Sequence, residues 1–156
     1  HRDLHSFPTR RSSDLGTSRR LERLIMSMIY LDTCCLIYLI EDVPVFSAQT
    51  RKLLASNPDA TLCVSPLVRL EVLVKPMQDA NAQLVADYED FLTAQRWLNI
   101  DHAVFDRALR LRARHRLKTP DALHLATAIQ HGCAEFWTND ERLATASPLP
   151  IRSVHV

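Results

Sequence analysis

The sequence predicts a single α/β domain of three layers: a parallel sheet of about five strands with helices on both faces. After residue 27, short apolar runs alternate with longer helical ones, as in parallel sheets joined by helical crossovers. A cap residue followed directly by proline, at Ser65-Pro66 and Thr119-Pro120, opens two of the helices. The chain has 156 residues and is 47% hydrophobic, which excludes a disordered protein, and no apolar run approaches the length of a membrane span.

The first half of the domain contains two strands and three helices. In order, they are a strand at residues 28–32, helices at 33–41 and 45–56, a strand at 60–65 and a helix at 65–75. The helix after the first strand begins with Thr33 as a candidate cap, and it is apolar on nearly every side, as expected for a helix in the core. Ser65 is the candidate cap of the last helix, with Pro66 in the first helical position.

The second half repeats the alternation. The predicted elements are helices at 79–94, 102–117 and 119–130, a short helix at 140–146, and strands at 96–100, 134–138 and 151–156. Leu84, Tyr88 and Phe91 give the first of these helices a stripe that faces the core. Gly132 is the only glycine after residue 28, and it ends the helix that Thr119 and Pro120 open.

Residues 1–27 differ in composition from the rest. They contain six arginines against three acidic residues, which leaves residues 28–156 with a net charge of −2. A segment rich in Arg and Ser suggests an organellar transit peptide or a nucleic-acid-binding arm. Residues 4–15, however, read LHSFPTRRSSDL, which resembles the translation of a common sequencing adapter. We therefore expect residues 1–27 to be non-native or disordered, the domain to occupy residues 28–156, and the encoded protein to start at Met28 or Met26.

The cysteines predict neither a zinc site nor a disulfide framework. Cys34, Cys35, Cys63 and Cys133 show no CxxC spacing and no regular spacing with the histidines. Two of them are adjacent in an apolar run and a third lies in a predicted strand. We expect buried free thiols in a protein of the reducing cytoplasm, without a membrane partner.

Acidic residues fall where parallel sheets bind ligands, outside the carboxyl ends of the strands. Asp32 ends the first strand and Asp140 lies just past strand 134–138. Glu71 lies in the second turn of the helix that follows the second strand, so it can reach the same edge. Asp121 opens a helix that follows another helix, so this argument does not place it there. Ordinary roles stay open for two of them: Asp121 can favour the helix dipole, and Asp140 can belong to a turn.

A carboxylate cluster of this kind would need a cation. If the acids converge, their mutual repulsion raises some of their pKa values unless a positive charge neutralises them. An all-carboxylate set without Cys or His suits a hard ion such as Mg²⁺ or Mn²⁺. The chemistry that such an ion favours is phosphodiester hydrolysis by a metal-activated water.

Four segments of the chain together resemble the PIN-domain ribonucleases, most closely the VapC-type toxins of bacterial type II toxin-antitoxin pairs. The segments are, in family order and spacing, MIYLDTCCLIYLIE, SPLVRLEVLVKP, KTPDALHLATAIQHG and FWTNDERL. The resemblance implies the strand order 3-2-1-4-5. The residues that match the family's catalytic acids, which hold one or two Mg²⁺ ions, are Asp32, Glu71, Asp121 and Asp140. The residues that match its site-supporting positions are Thr33, Thr138 and Asn139.

The same resemblance implies a Mg²⁺-dependent endoribonuclease that is the toxin of a pair. Its expected partners are an RNA substrate, an antitoxin whose C-terminal tail occupies the groove, and a second copy in a homodimer. Two alternatives stay open: a PIN nuclease of RNA processing or decay without an antitoxin, and a catalytically inactive PIN-like module that binds protein. A phosphatase of the haloacid dehalogenase kind is excluded, because it needs DxD and Cys34 occupies the third position.

Basic residues recur on one stripe of the predicted helix 102–117 and its extension, at Arg107, Arg110, Arg114 and Lys118. The stripe is either a solvated face or a phosphate track that leads RNA toward Asp121. The second interpretation predicts binding that depends strongly on salt.

Three further side chains receive structural interpretations. His124 lies one turn after Asp121 and is a candidate general base, but a partly buried structural histidine is the better interpretation. Trp97 and Trp137 lie in strand-like runs. We interpret them as core or sheet-edge residues rather than as platforms for base stacking.

Overall fold

The computed structural model describes residues 27–154 and, before them, only residues 16, 18 and 19. The adapter-like segment 4–15, the start at Met26 and residues 155–156 of the last predicted strand lie outside the described residues. The strands are β1 (Met28–Leu31), β2 (Thr61–Val64), β3 (Arg96–Trp97), β4 (Glu135–Thr138) and β5 (Ile151–Ser153). The helices are α1 (Thr33–Ile40), α2 (Phe46–Ala55), α3 (Pro66–Gln78), α4 (Ala82–Thr93), α5 (His102–His115), α6 (Thr119–Gln130) and a 3₁₀ helix (Glu141–Thr145).

The strands form one parallel sheet in the order β3-β2-β1-β4-β5. All four residues of the central strand β1 are buried, which requires cover on both faces of the sheet. This confirms the predicted three-layer α/β fold and its strand order. Because every strand points the same way, the ends of β1 and β4 and the starts of the helices that follow β1 and β2 meet at one edge.

The caps at this edge differ in part from the prediction. Asp32, not Thr33, is the N-cap of α1, and its carboxylate accepts a hydrogen bond from the backbone N–H of Thr33 at 2.8 Å. Ser65 caps α3 as predicted, through a 3.4 Å bond from Val68 N–H to its hydroxyl oxygen. Thr119 is the first residue of α6, after Lys118 in the cap position. With Asp32 as the cap, the Thr33 hydroxyl is available for another contact.

Several element boundaries also differ from the prediction. Helix α3 continues through the buried Pro76 to Gln78, and α4 begins only after Asn81, whose side chain caps it. Strand β3 pairs over two residues instead of the five expected. Helix α5 ends at His115 because Arg116 takes the left-handed conformation, with φ of 56°. The prediction that Lys118 lies on the same helical stripe as Arg107 is therefore wrong.

Two apolar clusters form the core of the described part of the chain. The larger one covers both faces of the sheet, where the rings of Tyr30 and Phe136 stack with their centroids 5.3 Å apart. The smaller one lies between α5 and α6, and its buried members are Val104, Ala108, Ala122, Leu123 and Ala126. Trp137 is buried and Trp97 lies half-exposed on the edge strand, as predicted.

The four cysteines are free thiols, and three of them are buried, as predicted. Cys34 is the half-buried one. Among the described residues, no helix is long and apolar enough to cross a membrane.

Candidate active site

Asp32 lies at the carboxyl-terminal edge of the sheet, and both of its carboxylate oxygens are held. One accepts the N–H of Thr33, and the other accepts the hydroxyl of Thr138 at 2.7 Å. Thr138 is the last residue of β4, the neighbour of β1, so this bond joins the ends of two adjacent strands. The Asp32 side chain retains 15% of its exposure. Its orientation is therefore fixed while its oxygens stay accessible at the edge.

Glu71 reaches the same edge from α3. Its carboxylate accepts the hydroxyl of Thr33 at 2.9 Å and is also bonded to Nε2 of His124. The hydrogen bond from His124 lowers the pKa of Glu71, so the side chain is ionised at neutral pH. Glu71 and Asp32 lie at one edge, as predicted, because they share two neighbours. Thr33 donates its N–H to Asp32 and its hydroxyl to Glu71, and His124 is bonded to Glu71 and lies 3.7 Å from Asp32.

His124 is buried, with 2% of its surface exposed, and it connects the acids to the core. Its Nδ1 lies 2.7 Å from the hydroxyl of Tyr30, which lies 2.8 Å from the hydroxyl of Ser65. Burial raises the pKa of Tyr30, so its hydroxyl stays protonated and can donate to Nδ1. With Nδ1 as the acceptor, we assign the imidazole N–H to Nε2, which donates to Glu71. His124 is also 3.7 Å from Asp32.

Asp121 differs from the other acids because its carboxylate accepts no hydrogen bond from any residue that the structure describes. It lies half-buried in the first turn of α6. Burial, and then the negative charges of Asp32 and Asp140, raise the pKa of Asp121 above its usual value. The two like charges thus add to a rise that is caused first by burial.

Asp140 follows β4 and is already paired with a cation. Arg142 donates Nε to one carboxylate oxygen at 2.8 Å and a terminal nitrogen to the other at 2.7 Å. This two-point pairing lowers the pKa of Asp140. The backbone N–H of Asp140 also donates to the hydroxyl of Thr138, at 3.1 Å. Asp140 is therefore tied to the same threonine that holds Asp32.

Of the three predicted supporting residues, Thr33 and Thr138 contact the acids and Asn139 does not. The side-chain amide of Asn139 donates to the hydroxyl of Tyr38 at 3.0 Å, and its backbone N–H lies 3.3 Å from the sulfur of Cys34. Both partners lie on α1. The contacts of Asn139 thus hold the loop after β4 against α1 rather than orienting a carboxylate.

The donors at this edge fit a hard divalent cation by chemistry and charge. They are carboxylate oxygens, with threonine hydroxyls behind them, and the ionised form of Asp121 is disfavoured by burial and by two acidic neighbours. A cation would relieve that repulsion. Among the described residues, no three acidic, histidine or cysteine side chains lie close enough together to form a ready-made metal site.

The predicted basic stripe is divided in the structure. Arg107 is half-buried, and its Nε donates to the side chain of Gln130 on α6 at 3.0 Å, so it packs the two helices together. Arg110 and Arg114 are exposed on α5. Lys118 lies beyond the end of α5, and its positive charge lowers the pKa of Asp140 and partly offsets the rise at Asp121.

Sequence reasoning misses the network behind the acids. Tyr30 lies inside a buried strand, and a buried tyrosine hydroxyl needs a hydrogen-bond partner. The sequence therefore indicates a polar contact at Tyr30 but not which residue makes it. His124 is a candidate from the sequence, but its contact with Glu71 spans 53 positions of the chain and depends on the packing of α3 against α6. For Arg142, the sequence shows only that it lies two positions after Asp140, which is a weak indication of an ion pair.

Comparisons with solved structures agree with this fold. The chain is similar to DNA-bound VapBC from Salmonella typhimurium, with 19% identity, a TM-score of 0.68, and coverage of 81% of this chain and 98% of that one. It is similar to promoter-bound VapBC2 from Rickettsia felis, with 18% identity, a TM-score of 0.67 and the same coverage. Mycobacterium tuberculosis VapC20, described as a toxin that cleaves the sarcin-ricin loop, has 17% identity, a TM-score of 0.65, and coverage of 76% and 94%.

At these identities the similarity to solved structures supports the fold alone. No curated protein matches the chain. The family model of the PIN domain matches residues 29–147, which include β1 to β4 apart from Met28 and all four acids of the edge. The chain therefore belongs to the PIN domain family.

Proposed function

We propose that the protein is a metal-dependent endoribonuclease and that it acts as the toxin of a toxin-antitoxin pair. The observation that carries the proposal is Asp121, an acid without a hydrogen-bond donor among the described residues, beside Asp32 and Asp140 at one sheet edge. Glu71 is held ionised by His124, which also lies 3.7 Å from Asp32. Membership of the PIN family and a fold shared with VapC toxins support an activity on RNA.

In this proposal Asp32, Glu71, Asp121 and Asp140 hold Mg²⁺, with Mn²⁺ as a substitute. When bound, the ion supplies an acidic water and stabilises charge on the phosphate and the leaving oxygen. Thr138 keeps Asp32 turned toward the edge, and His124 with Thr33 does the same for Glu71. Holding these groups before the substrate arrives removes part of the cost of ordering them during the reaction.

The proposed protein partner is a small antitoxin whose C-terminal tail offers an arginine or lysine to the acids. The two-point pairing of Arg142 with Asp140 supports this, because the edge already accepts a guanidinium. The setting is a reducing cytoplasm, which is consistent with the free thiols. A short DNA-binding protein encoded immediately upstream should abolish cleavage when co-expressed. A nuclease without such a gene would instead belong to RNA processing or decay.

The test of the nuclease is substitution of the acids in the purified protein. Asp32→Asn and Asp121→Asn should each abolish Mg²⁺-dependent cleavage of total RNA, and EDTA should abolish it in the wild type. Asp59→Asn is the matched control, since Asp59 is an exposed acid in the loop before β2, at the opposite edge of the sheet. Circular dichroism melting checks that the variants remain folded. Cleavage that persists in either site variant would refute the assignment, and an inactive wild type would favour a protein-binding module.

A further inference from the structure

A second charged feature lies directly beside the acids. A cavity of about 270 Å³ has Asp121 and Asp140 on its wall together with three cationic residues, Arg116, Lys118 and Arg142. We propose that this cavity binds one phosphate of the RNA backbone next to the phosphate that is cleaved. The proposal rests on the proposed nuclease function and adds a substrate-binding site to it.

The charges of the cavity favour an anion. Arg142 is neutralised by its two-point pairing with Asp140. Arg116 and Lys118 form no ion pair and no side-chain hydrogen bond with any residue in the described part of the chain. The lining therefore carries three positive charges against two negative ones, and the two unpaired cations are close together in the loop between α5 and α6. An excess of one positive charge suits a single phosphate.

The loop that carries these two cations is fixed by its own backbone bonds. The N–H of Arg116, which caps α5 in the left-handed conformation, donates to the carbonyl of Arg112 at 2.8 Å. The side chain of Arg112 also holds the loop, because its Nε donates to the carbonyl of Leu117 at 2.8 Å. Leu117 packs against both apolar clusters of the core. The positions of the Arg116 and Lys118 backbones are thus set before a ligand arrives, which lowers the ordering cost of binding.

The position and size of the cavity favour a polymer over a free anion. Two acids that would hold the metal form one of its walls, so a phosphate bound there is adjacent to the site of cleavage. The cavity, at about 270 Å³, has room for several groups of the size of a water molecule, so a lone phosphate does not fill it. The nucleotide next to the cleaved one in the same RNA strand fits both the position and the size of the cavity.

The experiment measures RNA binding in a background that does not cleave. In Asp32→Asn, the affinity for a fluorescent single-stranded RNA is followed by anisotropy between about 50 and 200 mM KCl, the range over which phosphate binding is resolved. Adding Arg116→Asn and Lys118→Gln should weaken binding and reduce the slope of log K against log salt by about 0.7 for each phosphate that is no longer bound. Asparagine is chosen at residue 116 because it tolerates the left-handed backbone.

The matched control is Lys52→Gln with Arg96→Gln, which removes two exposed cations, on α2 and β3, that do not line the cavity. It should leave the slope unchanged. If the Arg116 and Lys118 variant behaves like this control while the wild type cleaves RNA, the phosphate site is refuted and the nuclease stands. A wild type that neither binds nor cleaves RNA refutes both. Inorganic phosphate should compete only weakly, and competition as strong as that of the RNA would assign the cavity to a free anion instead.

Discussion

The four acids of the edge are chemically alike, but each has a different environment. Asp32 accepts two neutral hydrogen bonds, Glu71 is bonded to a buried imidazole, Asp140 is paired with a guanidinium, and Asp121 has no such partner among the described residues. The pKa of Asp121 is raised, whereas those of Glu71 and Asp140 are lowered. The protein therefore fixes three carboxylates with its own groups and leaves one whose charge a bound cation would stabilise.

At the residue scale, His124 is predicted to act as a positioning residue for Glu71. Replacing it by leucine removes the donor to Glu71 and leaves the buried Tyr30 hydroxyl with one partner, Ser65, in place of two. We expect a loss of stability of about 1–3 kcal/mol and a fall of about 10–100-fold in metal affinity or activity. The measurements are thermal melting, titration of binding with Mn²⁺ by calorimetry, and cleavage as a function of Mg²⁺ concentration.

His124→Gln is the conservative variant that separates positioning from folding. Its side-chain amide can donate in place of Nε2, so it should recover part of the metal affinity that His124→Leu loses. Should the leucine variant fail to fold, Tyr30→Phe removes the hydroxyl that orients the imidazole and leaves the ring stack on Phe136 in place. Unchanged Mn²⁺ binding in both His124→Leu and Tyr30→Phe would limit these residues to a structural role.

The acids can be predicted from the sequence more readily than their partners can. Asp32, Asp140 and Glu71 carry local signals, since each lies at the end of a predicted strand or early in the helix that follows one, and the family motifs identify Asp121. The partner of Glu71 depends on the packing of two helices that are far apart in the chain. Hydrophobic periodicity predicts that a position such as residue 124 is buried. It does not predict what the imidazole faces there.

At the element scale, the end of α5 is the boundary with the largest consequence. The chain has no glycine or proline directly after this helix, so nothing in the local sequence signals the turn at Arg116. A non-glycine residue in the left-handed region costs about 1–2 kcal/mol, which the bond to Arg112 and the burial of Leu117 help to offset. This turn moves Lys118 off the helical stripe and into the cavity next to Asp121.

The remaining stripe on α5 predicts a contribution to RNA binding that is separate from the cavity. Arg110→Gln with Arg114→Gln removes two exposed charges and should reduce the salt slope by about 0.7 for each phosphate that is released. Arg107 should contribute less, because it is bonded to Gln130. Anisotropy titrations in the Asp32→Asn background measure the slope. If the slope is the same as in the Asp32→Asn protein that keeps Arg110 and Arg114, these residues form an ordinary solvated face.

At the scale of the whole molecule, the sequence predicts the alternation of strands and helices but not, by itself, which strands are neighbours. Periodicity identifies a buried strand and leaves its partners open, because β1 pairs with β2 and β4, the latter more than 100 positions away along the chain. The strand order comes from the family resemblance. The order matters for function, because it places the end of β4, with Thr138 and Asp140, next to Asp32.

In the part of the chain that the structure describes, the exposed large apolar residues lie mainly on two helices, α3 and α5, that both contact the smaller cluster. Leu70, Val74 and Met77 are exposed at helical spacing on α3, and Phe105 and Leu109 are exposed on α5. The two helices meet at this cluster, because Leu67 of α3 packs against it. Grouped apolar exposure of this kind is typical of protein interfaces, and we propose it as the contact face of a homodimer.

The homodimer predicts that a charge introduced in this face separates the two copies. Phe105→Asp with Leu109→Glu should convert a dimer into a monomer, because each carboxylate would be buried without a partner and would be repeated across the two-fold axis. Light scattering after size exclusion and sedimentation velocity measure the mass. Both residues are more than half exposed in the single chain, so the monomer's melting temperature should change little.

Val45→Glu alters another exposed apolar residue, outside this face, and should leave the dimer intact. A dimer that survives the double substitution would show that the copies associate elsewhere, and a wild-type monomer would show that they do not associate at all.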